Sequence, residues 1–552
     1  MSSPSPVDRI RRGAEHAVDS IASNLQMLRT VAGTGALTDV RPTRLPAMGK
    51  VVLTHGISPV TGWMLSAQRA PDRPAVIDDA GAITYGELDR RTNALARALQ
   101  QRGFTAGDGL AVMCRNHRGF PEALLAGGKL GARLLFLNTE FAAPQLRDVL
   151  AREAPTHVIA DAEFVDLLAE AAPDLPVYVS WHDEPSELPT VDTLVASTDE
   201  RPVAAPEQMV RFVILTSGTT GTPKGAQRGS HGSVETGASI LAMIPLRAGG
   251  VSVIVPPVFH GWGFLHMGLQ LALAGTMVLR RRFDPEVVLA DVERHAAEAL
   301  VVVPVILRRI LDAGANLRAA HDTSSLRVIA SSGSALPGEL ATRTMDAFGD
   351  VLYNLYGSTE VTAATIATPA DLRRAPGTAG TPPPGTTVVL FDEHDQPVTE
   401  QGGTGRIHVK TASLFEGYTG GGTKDAIDGL MATGDVGYFD DHGCLHVSGR
   451  ADDMIVSGGE NVFPREVEDL ISDHDDVREA AVIGVPDDEY GQRLRAFVAR
   501  VEGATLDEDG VKALVKSNLA RYKVPRDVVF LDELPRNPTG KVLRRVLSEH
   551  DG

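Results

Sequence analysis

The sequence predicts an α/β protein, with a large N-terminal domain of layered α/β subdomains that ends in a β-rich subdomain, followed by a small C-terminal α+β domain. Three observations predict it. From Asp72 to about Leu279, short apolar runs alternate with helical stretches, the arrangement of α/β layers on a largely parallel sheet. Ala370 to Pro384 is rich in Pro and Gly and leads into turn-and-strand segments such as Met431 to Arg450. Beyond Asp452, about 100 residues carry their own helices and strands, a common domain size. The expected divisions are an N-terminal helical extension (1–50), a large ligand-binding domain (51–451) and a small domain (452–552).

A chain of 552 residues has ample length for a large buried interior. Hydrophobic residues at 43% and charged residues at 22% are ordinary globular values, so a soluble class is expected. The 53 Lys and Arg face 71 Asp and Glu, a net charge of -18, which argues against nucleic acid as a partner. A local basic loop can still bind an anion inside an acidic protein. Cys114 and Cys444 stand far apart in dissimilar contexts, which argues against a disulfide framework and fits a cytoplasmic location. No apolar run approaches the roughly 20 residues that span a bilayer.

Taking the chain in order, Ile10, Ala14, Ala17, Ile21, Leu25 and Leu28 recur at helical spacing, so an amphipathic helix is expected from about Val7 to Leu28. Packing on the chain itself or on a second copy, as in a homodimer, is the first reading of that stripe. Peripheral contact with the inner face of a membrane is the second. Gly33 to Met48 read as loop. Thr84 and Glu87 have capping-box spacing, and Leu88, Thr92, Leu95 and Leu99 follow on one face, so a helix starts near Tyr85. Between Trp181 and Glu207 the chain is polar, acidic and proline-rich, and reads as a surface connection.

The most informative stretch is VILTSGTTGTPKG, Val213 to Gly225. A short apolar strand from Phe212 to Leu215 breaks into a loop of hydroxyls, glycines and one lysine. Gly218 and Gly221 allow successive N–H groups to face one concavity, Ser217, Thr219 and Thr220 add hydroxyl donors, and Lys224 adds positive charge. A polyphosphate suits such a loop. It is not the NTPase P-loop, because five residues beyond Gly218 stands Pro223, and Lys224 is followed by Gly225. The alternative is a polar surface turn.

TSGTTGTPKG resembles the phosphate loop of the adenylate-forming enzymes, which include acyl-CoA synthetases, the adenylation domains of peptide synthetases, and luciferases. Further segments resemble that family in order along about Asp72 to Arg545. VIVPPVFHGWGF resembles the segment lining its acyl pocket, which implies His260, Trp262 and Phe264 there, with Tyr353 a further candidate wall residue. ASSGSALP resembles the adenine turn, implying Gly333, Ser334 and Ala335, although the usual proline is displaced to Pro337. YGSTE, Tyr356 to Glu360, resembles the YGxTE motif, implying nucleotide contacts for Tyr356, Gly357, Ser358 and Thr359. A carboxylate beside a polyphosphate would repel it without a divalent cation between them, so Glu360 is the expected Mg2+ ligand, with Thr216 added by the resemblance.

Asp435 is suited to accept hydrogen bonds from both ribose hydroxyls, and the family's TGD…GR pattern pairs it with Arg450. The resemblance also implies a hinge at Asp452, a coenzyme A tunnel bordered by Ser457, Gly458 and Gly459, a mobile small domain, and a catalytic lysine, Lys541, in the closing PxxxxGKxxR motif. One departure is Ser230, which stands where the family usually has a histidine; His231 follows it.

The implied activity is an ATP-dependent acyl-CoA ligase that uses Mg2+ and coenzyme A, activates a carboxylic acid as acyl-AMP with release of pyrophosphate, and then forms the thioester. Lys541, Glu360 and Thr216 are its expected catalytic groups. A fatty or other aliphatic acid is the first expectation, an aryl or aryloxy acid the second, and an acyl-AMP ligase that loads a carrier protein the third. A catalytically inactive nucleotide sensor is the reading from another class, and it should have lost Glu360 or Lys541; both remain.

Overall fold

The computed structural model describes residues 29–36, 40, 42–55, 58–215, 224–228, 233–411, 417–419, 421–457, 460–487, 491–537 and 540–550. The expected helix at Val7 to Leu28, the phosphate loop from Thr216 to Gly221, Ser230 and His231, and Gly458 and Gly459 lie outside those residues. Both layered sheets of the large domain are mainly parallel. One has eight strands in the order 365–367, 352–356, 328–331, 299–302, 251–254, 276–278, 74–78, 81–84, antiparallel only at its two edges. The other has seven, in the order 417–418, 225–228, 211–215, 133–136, 109–113, 157–160, 177–179.

The side-chain alternation of the eight-stranded sheet divides its residues between two separate apolar clusters. Val301, Val303 and Ala330 join one; Leu300, Val302 and Ile329 join the other. Both faces are therefore covered, as a parallel sheet requires. Helix Gly261–Ala272 covers the first face and is tied to helix Pro59–Arg69, where Trp63 Nε1 donates to the Gly268 carbonyl at 3.0 Å. Helix Tyr85–Gln101 starts where its sequence signals put it, with Thr84 and Glu87 forming a reciprocal cap. Within this layer Lys129 is almost wholly buried, and its ammonium donates to Asp89 Oδ1 and Asn93 Oδ1, both at 2.7 Å, and to Thr92 Oγ1 at 2.8 Å. His117 forms a second buried polar brace: its Nδ1 accepts from the Gly119 N–H at 3.0 Å, which leaves the Nε2 proton for Asp161 Oδ1 at 2.7 Å.

A β-rich subdomain follows, built on antiparallel strands 387–391, 405–410, 430–439 and 445–450. The C-terminal sheet runs 460–462, 455–457, 491–500, 477–487, with 527–531 added parallel to 491–500. Helices Pro464–Ser472 and Glu508–Asn518 cover it with Val467, Ile471, Val511 and Val515. Both cysteines are free. Among the described residues no helix is long and apolar enough to cross a membrane.

Two expectations need correction. Gly33 to Met48 is not all loop: a 3-10 turn at Pro42–Arg44 leads into helix Leu45–His55. That helix buries no side chain, so its apolar residues gave no one-sided stripe to read. The connection from Trp181 to Glu207 contains helix Val191–Ala196, whose cap is Thr190 and Thr193 rather than an acidic pair. Lys129→Met is expected to lower the thermal unfolding midpoint and to cost about 2 kcal/mol, because it strands buried acceptors on helix Tyr85–Gln101. A midpoint equal to wild type would show that those acceptors find other partners.

Candidate active site

The site lies where the two layered sheets, the β-rich subdomain and the tip of the small domain meet. Leu215 pairs with Gly225, which sets Lys224 at the mouth of strand Gly225–Arg228. A side chain at Gly225 would collide with Val213 Cγ1 at 2.6 Å and Thr419 Oγ1 at 2.7 Å, so glycine is required where strand Gly417–Tyr418 crosses closely. That crossing, with Tyr418 opposite Ala226, stacks the Tyr418 ring under the Lys224 ammonium at 5.3 Å. The phenol of Tyr418 then donates to Glu360 Oε1 at 2.8 Å. One aromatic ring thus links the basic end of the loop to the acidic motif.

Gly357 turns the chain at the end of strand Leu352–Tyr356; a Cβ there would lie 2.0 Å from the Thr362 carbonyl oxygen. The turn folds Glu360 inward to 7% exposure. Burial alone would raise its pKa, but Lys424, the Tyr418 phenol and Ser358 outweigh that and hold it below the usual carboxylate value. The ionised, oxygen-bearing side chain has the chemistry a hard divalent cation needs, so Glu360 fits Mg2+.

Tyr356 donates to Asp435 Oδ2 at 2.5 Å. Asp435 stands opposite Arg450 across strands 430–439 and 445–450, with Arg450 Nη1 3.7 Å from Asp435 Oδ1. The same guanidinium grips Asp452 with both arms, Nε to Oδ1 at 2.8 Å and Nη2 to Oδ2 at 3.1 Å. The two residues expected at the ribose are therefore coupled to the expected hinge acid. Burial raises the Asp435 pKa, and Tyr356, Arg450, Lys424 and Lys541 oppose the rise.

Lys541 enters from the small domain on a tight loop. Its backbone N–H donates to Asn537 Oδ1 at 2.9 Å, and Arg536 donates to Glu479 Oε2 at 2.5 Å beneath it. Gly540 has φ +83°, and a Cβ on it would lie 2.6 Å from Val305 Cγ1, so this loop presses against the large domain as only glycine can. A second strut is Arg308, whose guanidinium donates to the Arg478 carbonyl of the small domain. The Lys541 side chain is open to solvent by area, yet it stands in a cleft dense with protein atoms. Desolvation lowers its pKa, and the charges of Glu360 and Asp435 oppose that. Lys541 in turn adds to the burial that depresses His260, to about 3. Lys541 thus stands within electrostatic reach of Glu360, Asp435 and His260, and Lys224 is linked to Glu360 through Tyr418.

His260 occupies the N-cap position of helix Gly261–Ala272 without a side-chain capping bond, and its buried Nε2 has no hydrogen-bond partner among the described residues. Trp262 is pinned by Nε1 to the Val302 carbonyl at 2.9 Å. Phe264 sits against Phe136 and Phe212, with ring centroids 5.0 and 5.2 Å away. Tyr353, half-buried, packs on the same cluster. Gly333, with φ +93°, makes the turn that carries Ser334 and Ala335. Ser358 supports the Glu360 N–H at 3.2 Å. Ser457 is buried in the small domain's own sheet opposite Gly491, and among the described residues no hydrogen bond or ion pair joins it to the cleft.

Three residues escaped the sequence reading. Tyr418 lies in a two-residue strand with no periodicity to mark it, Lys424 is a lone lysine whose ammonium is fixed on the Thr433 carbonyl at 2.8 Å, and Asn354 carries a buried Oδ1 with no hydrogen-bond partner among the described residues. Only Asn354 had a signal, since a residue two before Tyr356 on one strand shares its face.

With this geometry in place, the comparisons decide the family. The AMP-binding enzyme family matches residues 64–419, and the AMP-binding enzyme C-terminal domain matches residues 466–541. The chain belongs to this family. A feruloyl-CoA synthase of Amycolatopsis sp is 33% identical over 490 residues, 87% of this chain and 96% of the relative. A methyl-dioxo-octahydro-indenyl propanoyl:CoA ligase of Rhodococcus jostii (strain RHA1) is 34% identical over 512 residues, 88% and 97% of the two chains. The crystal structure of ATP-bound MatB from Rhodopseudomonas palustris superimposes with a TM-score of 0.80 at 29% identity, covering 89% of this chain and 99% of that one. This AMP-binding enzyme is an AMP-forming acyl-CoA synthetase, an acid-thiol ligase that uses ATP, Mg2+ and coenzyme A.

Tyr356→Phe removes a donor that holds the Asp435 pKa down, so that pKa is expected to rise further. The acid limb of the pH dependence of ATP affinity is then expected to move to higher pH than in wild type. Titration of nucleotide binding against pH checks this, and a shift to lower pH would contradict the assignment.

Proposed function

We propose that this acyl-CoA synthetase activates a ring-bearing carboxylic acid, aromatic or alicyclic, rather than a long straight-chain one. The observation that supports it is the aromatic surroundings of the helix after His260, where Trp262 is fixed to the eight-stranded sheet and Phe264, on the other side of the helix, lies against two rings of the seven-stranded sheet. Such surroundings offer flat apolar faces to a ring. The relatives' names agree in kind, since one is a feruloyl-CoA synthase and the other acts on an indenyl propanoyl group bearing two oxo substituents. The fatty acid expected first from the sequence gives way in this reading to the acid expected second.

The roles follow from charge and position. Expelling hydroxide from a carboxylic acid is unfavourable, so the acid is first joined to AMP. A carboxylate oxygen attacks the α-phosphorus in line, the bond to the bridging oxygen breaks, and pyrophosphate leaves with the electron pair. Two anions must approach each other, so positioning and charge compensation carry most of the catalysis. Lys224, with the loop from Thr216 to Gly221, would hold the β and γ phosphates. Glu360, with Thr216, would hold Mg2+, which when bound screens the phosphate charge. Asp435 and Arg450 would hold the ribose; the turn at Gly333 to Ala335, with Asn354 Oδ1, would receive the adenine. Lys541 would neutralise charge between the carboxylate and the α-phosphate.

The coenzyme A thiolate then attacks the acyl carbonyl and AMP leaves, with no protein cysteine needed. A rotation of the small domain near Asp452 would withdraw Lys541 and bring the Ser457 to Gly459 segment to the thiol's path. The Arg450–Asp452 grip gives that hinge a physical latch.

Lys541→Ala is expected to slow adenylation by roughly a hundredfold or more, while thioester formation from supplied acyl adenylate survives. Equal losses in both half-reactions would remove the assigned role. The acid is tested by pyrophosphate release, with and without coenzyme A, over matched ring and straight-chain acids. Ring acids are expected to exceed straight-chain acids by about tenfold or more in kcat/KM. Equal or better use of the straight-chain acids would overturn the proposal.

A further inference from the structure

Helix Gly261–Ala272 presents one stripe, Trp262, His266 and Gln270, to the eight-stranded sheet. Trp262 gives its N–H to the Val302 carbonyl at 2.9 Å, and Gln270 gives an amide N–H to Ser252 Oγ at 2.6 Å. His266, between them, is fully buried, and neither of its ring nitrogens has a hydrogen-bond partner among the described residues. Leaving such a group unmatched costs about 1–3 kcal/mol, and an apolar side chain at this position would avoid the cost. Among the described residues its ring contact is the Trp262 indole, edge-on with centroids 4.3 Å apart.

Six residues of helix separate His266 from His260, on the order of 9 Å along the axis. His260 lies two residues before Trp262, which bonds the Val302 carbonyl, and Gly540, next to Lys541, lies against Val303 and Val305 on the same stretch of chain. The imidazole therefore lies at about the depth reached by the far side of a ring carried on a short chain from the reacting carboxylate. Burial keeps it neutral, with a pKa lowered to about 3, so it offers one N–H donor and one nitrogen acceptor rather than a charge.

We propose that His266 is a specificity-determining residue that hydrogen-bonds an oxygen on the acid's ring, so the enzyme selects ring acids bearing an oxo or hydroxyl group remote from the carboxylate. This rests on the ring-acid reading above. An oxo group accepts the imidazole N–H; a hydroxyl can also donate to the other nitrogen. A hydrocarbon ring of the same size would leave both nitrogens of this fully buried side chain unmatched.

The test compares wild type, His266→Phe and His266→Asn on two matched pairs: cyclohexylpropanoate with its ring ketone, and phenylpropanoate with its para-hydroxy counterpart. Pyrophosphate release gives kcat and KM for each. Wild type is expected to favour the oxygenated member by about tenfold or more in kcat/KM. His266→Phe is expected to abolish that preference, chiefly through KM, with the hydrocarbon member within about twofold of wild type. His266→Asn, which keeps a donor and an acceptor, is expected to retain part of it. The thermal midpoint of His266→Phe is expected to match or exceed wild type. A preference that survives in His266→Phe, or its absence in wild type, overturns the inference and leaves the ring-acid reading standing. Use of straight-chain acids with rejection of all four ring acids overturns both. If neither variant folds, the wild-type preference alone decides.

Discussion

An ammonium group has to stand in a crowded, partly dehydrated cleft, and two carboxylates make that tolerable. Desolvation lowers the pKa of Lys541; Glu360 and Asp435 raise it. Glu360 is held ionised by Lys424 and the phenol of Tyr418, and Asp435 is steadied by Tyr356 and Arg450 against a burial that pushes it the other way. These groups come from strands and loops of three sheets and from the small domain. Removing one member therefore changes the charge state of several others, as expected of a buried polar network.

That network depends on backbones approaching more closely than side chains allow. Gly225 lets strand Gly417–Tyr418 cross beside Lys224, Gly357 folds Glu360 back toward the sheet, and Gly540 lets the small-domain loop touch Val305. Each sits within four residues of a charged or aromatic group of the cleft, so close packing and chemistry are imposed by the same short segments. The clamp is completed by Arg308, which ties the large domain to the Arg478 carbonyl.

The surroundings of His260 obey different physics. Trp262 lies in an apolar cluster on which Phe264 and Tyr353 pack, and burial keeps two imidazoles, His260 and His266, uncharged. A neutral, aromatic and sparsely polar region discriminates by shape and by single hydrogen bonds, whereas the region around Glu360, Asp435 and Lys541 discriminates by charge. Under the proposed roles the two meet at Lys541.

Much of the fold, and the family, were legible in the sequence. The capping box at Thr84 and Glu87, the strand ending at Tyr356, and the helix from Pro464 are local events, set by propensities and spacings within a few residues. Lys224, Glu360, Asp435, Arg450 and Lys541 stood in short ordered motifs, and the motif order named the family before any contact was known. What only the tertiary structure decided are the pairings between distant segments: Tyr418 between Lys224 and Glu360, Lys424 among the acidic groups, Arg450 on Asp452, and His266 unmatched beside Trp262. A hydrogen bond or a burial depends on which remote strand lies opposite, and no window of sequence contains both partners. The sequence alone therefore determined the reaction class, whereas the protonation states and the shape of the acid wall were set by how the sheets and the small domain close on one another.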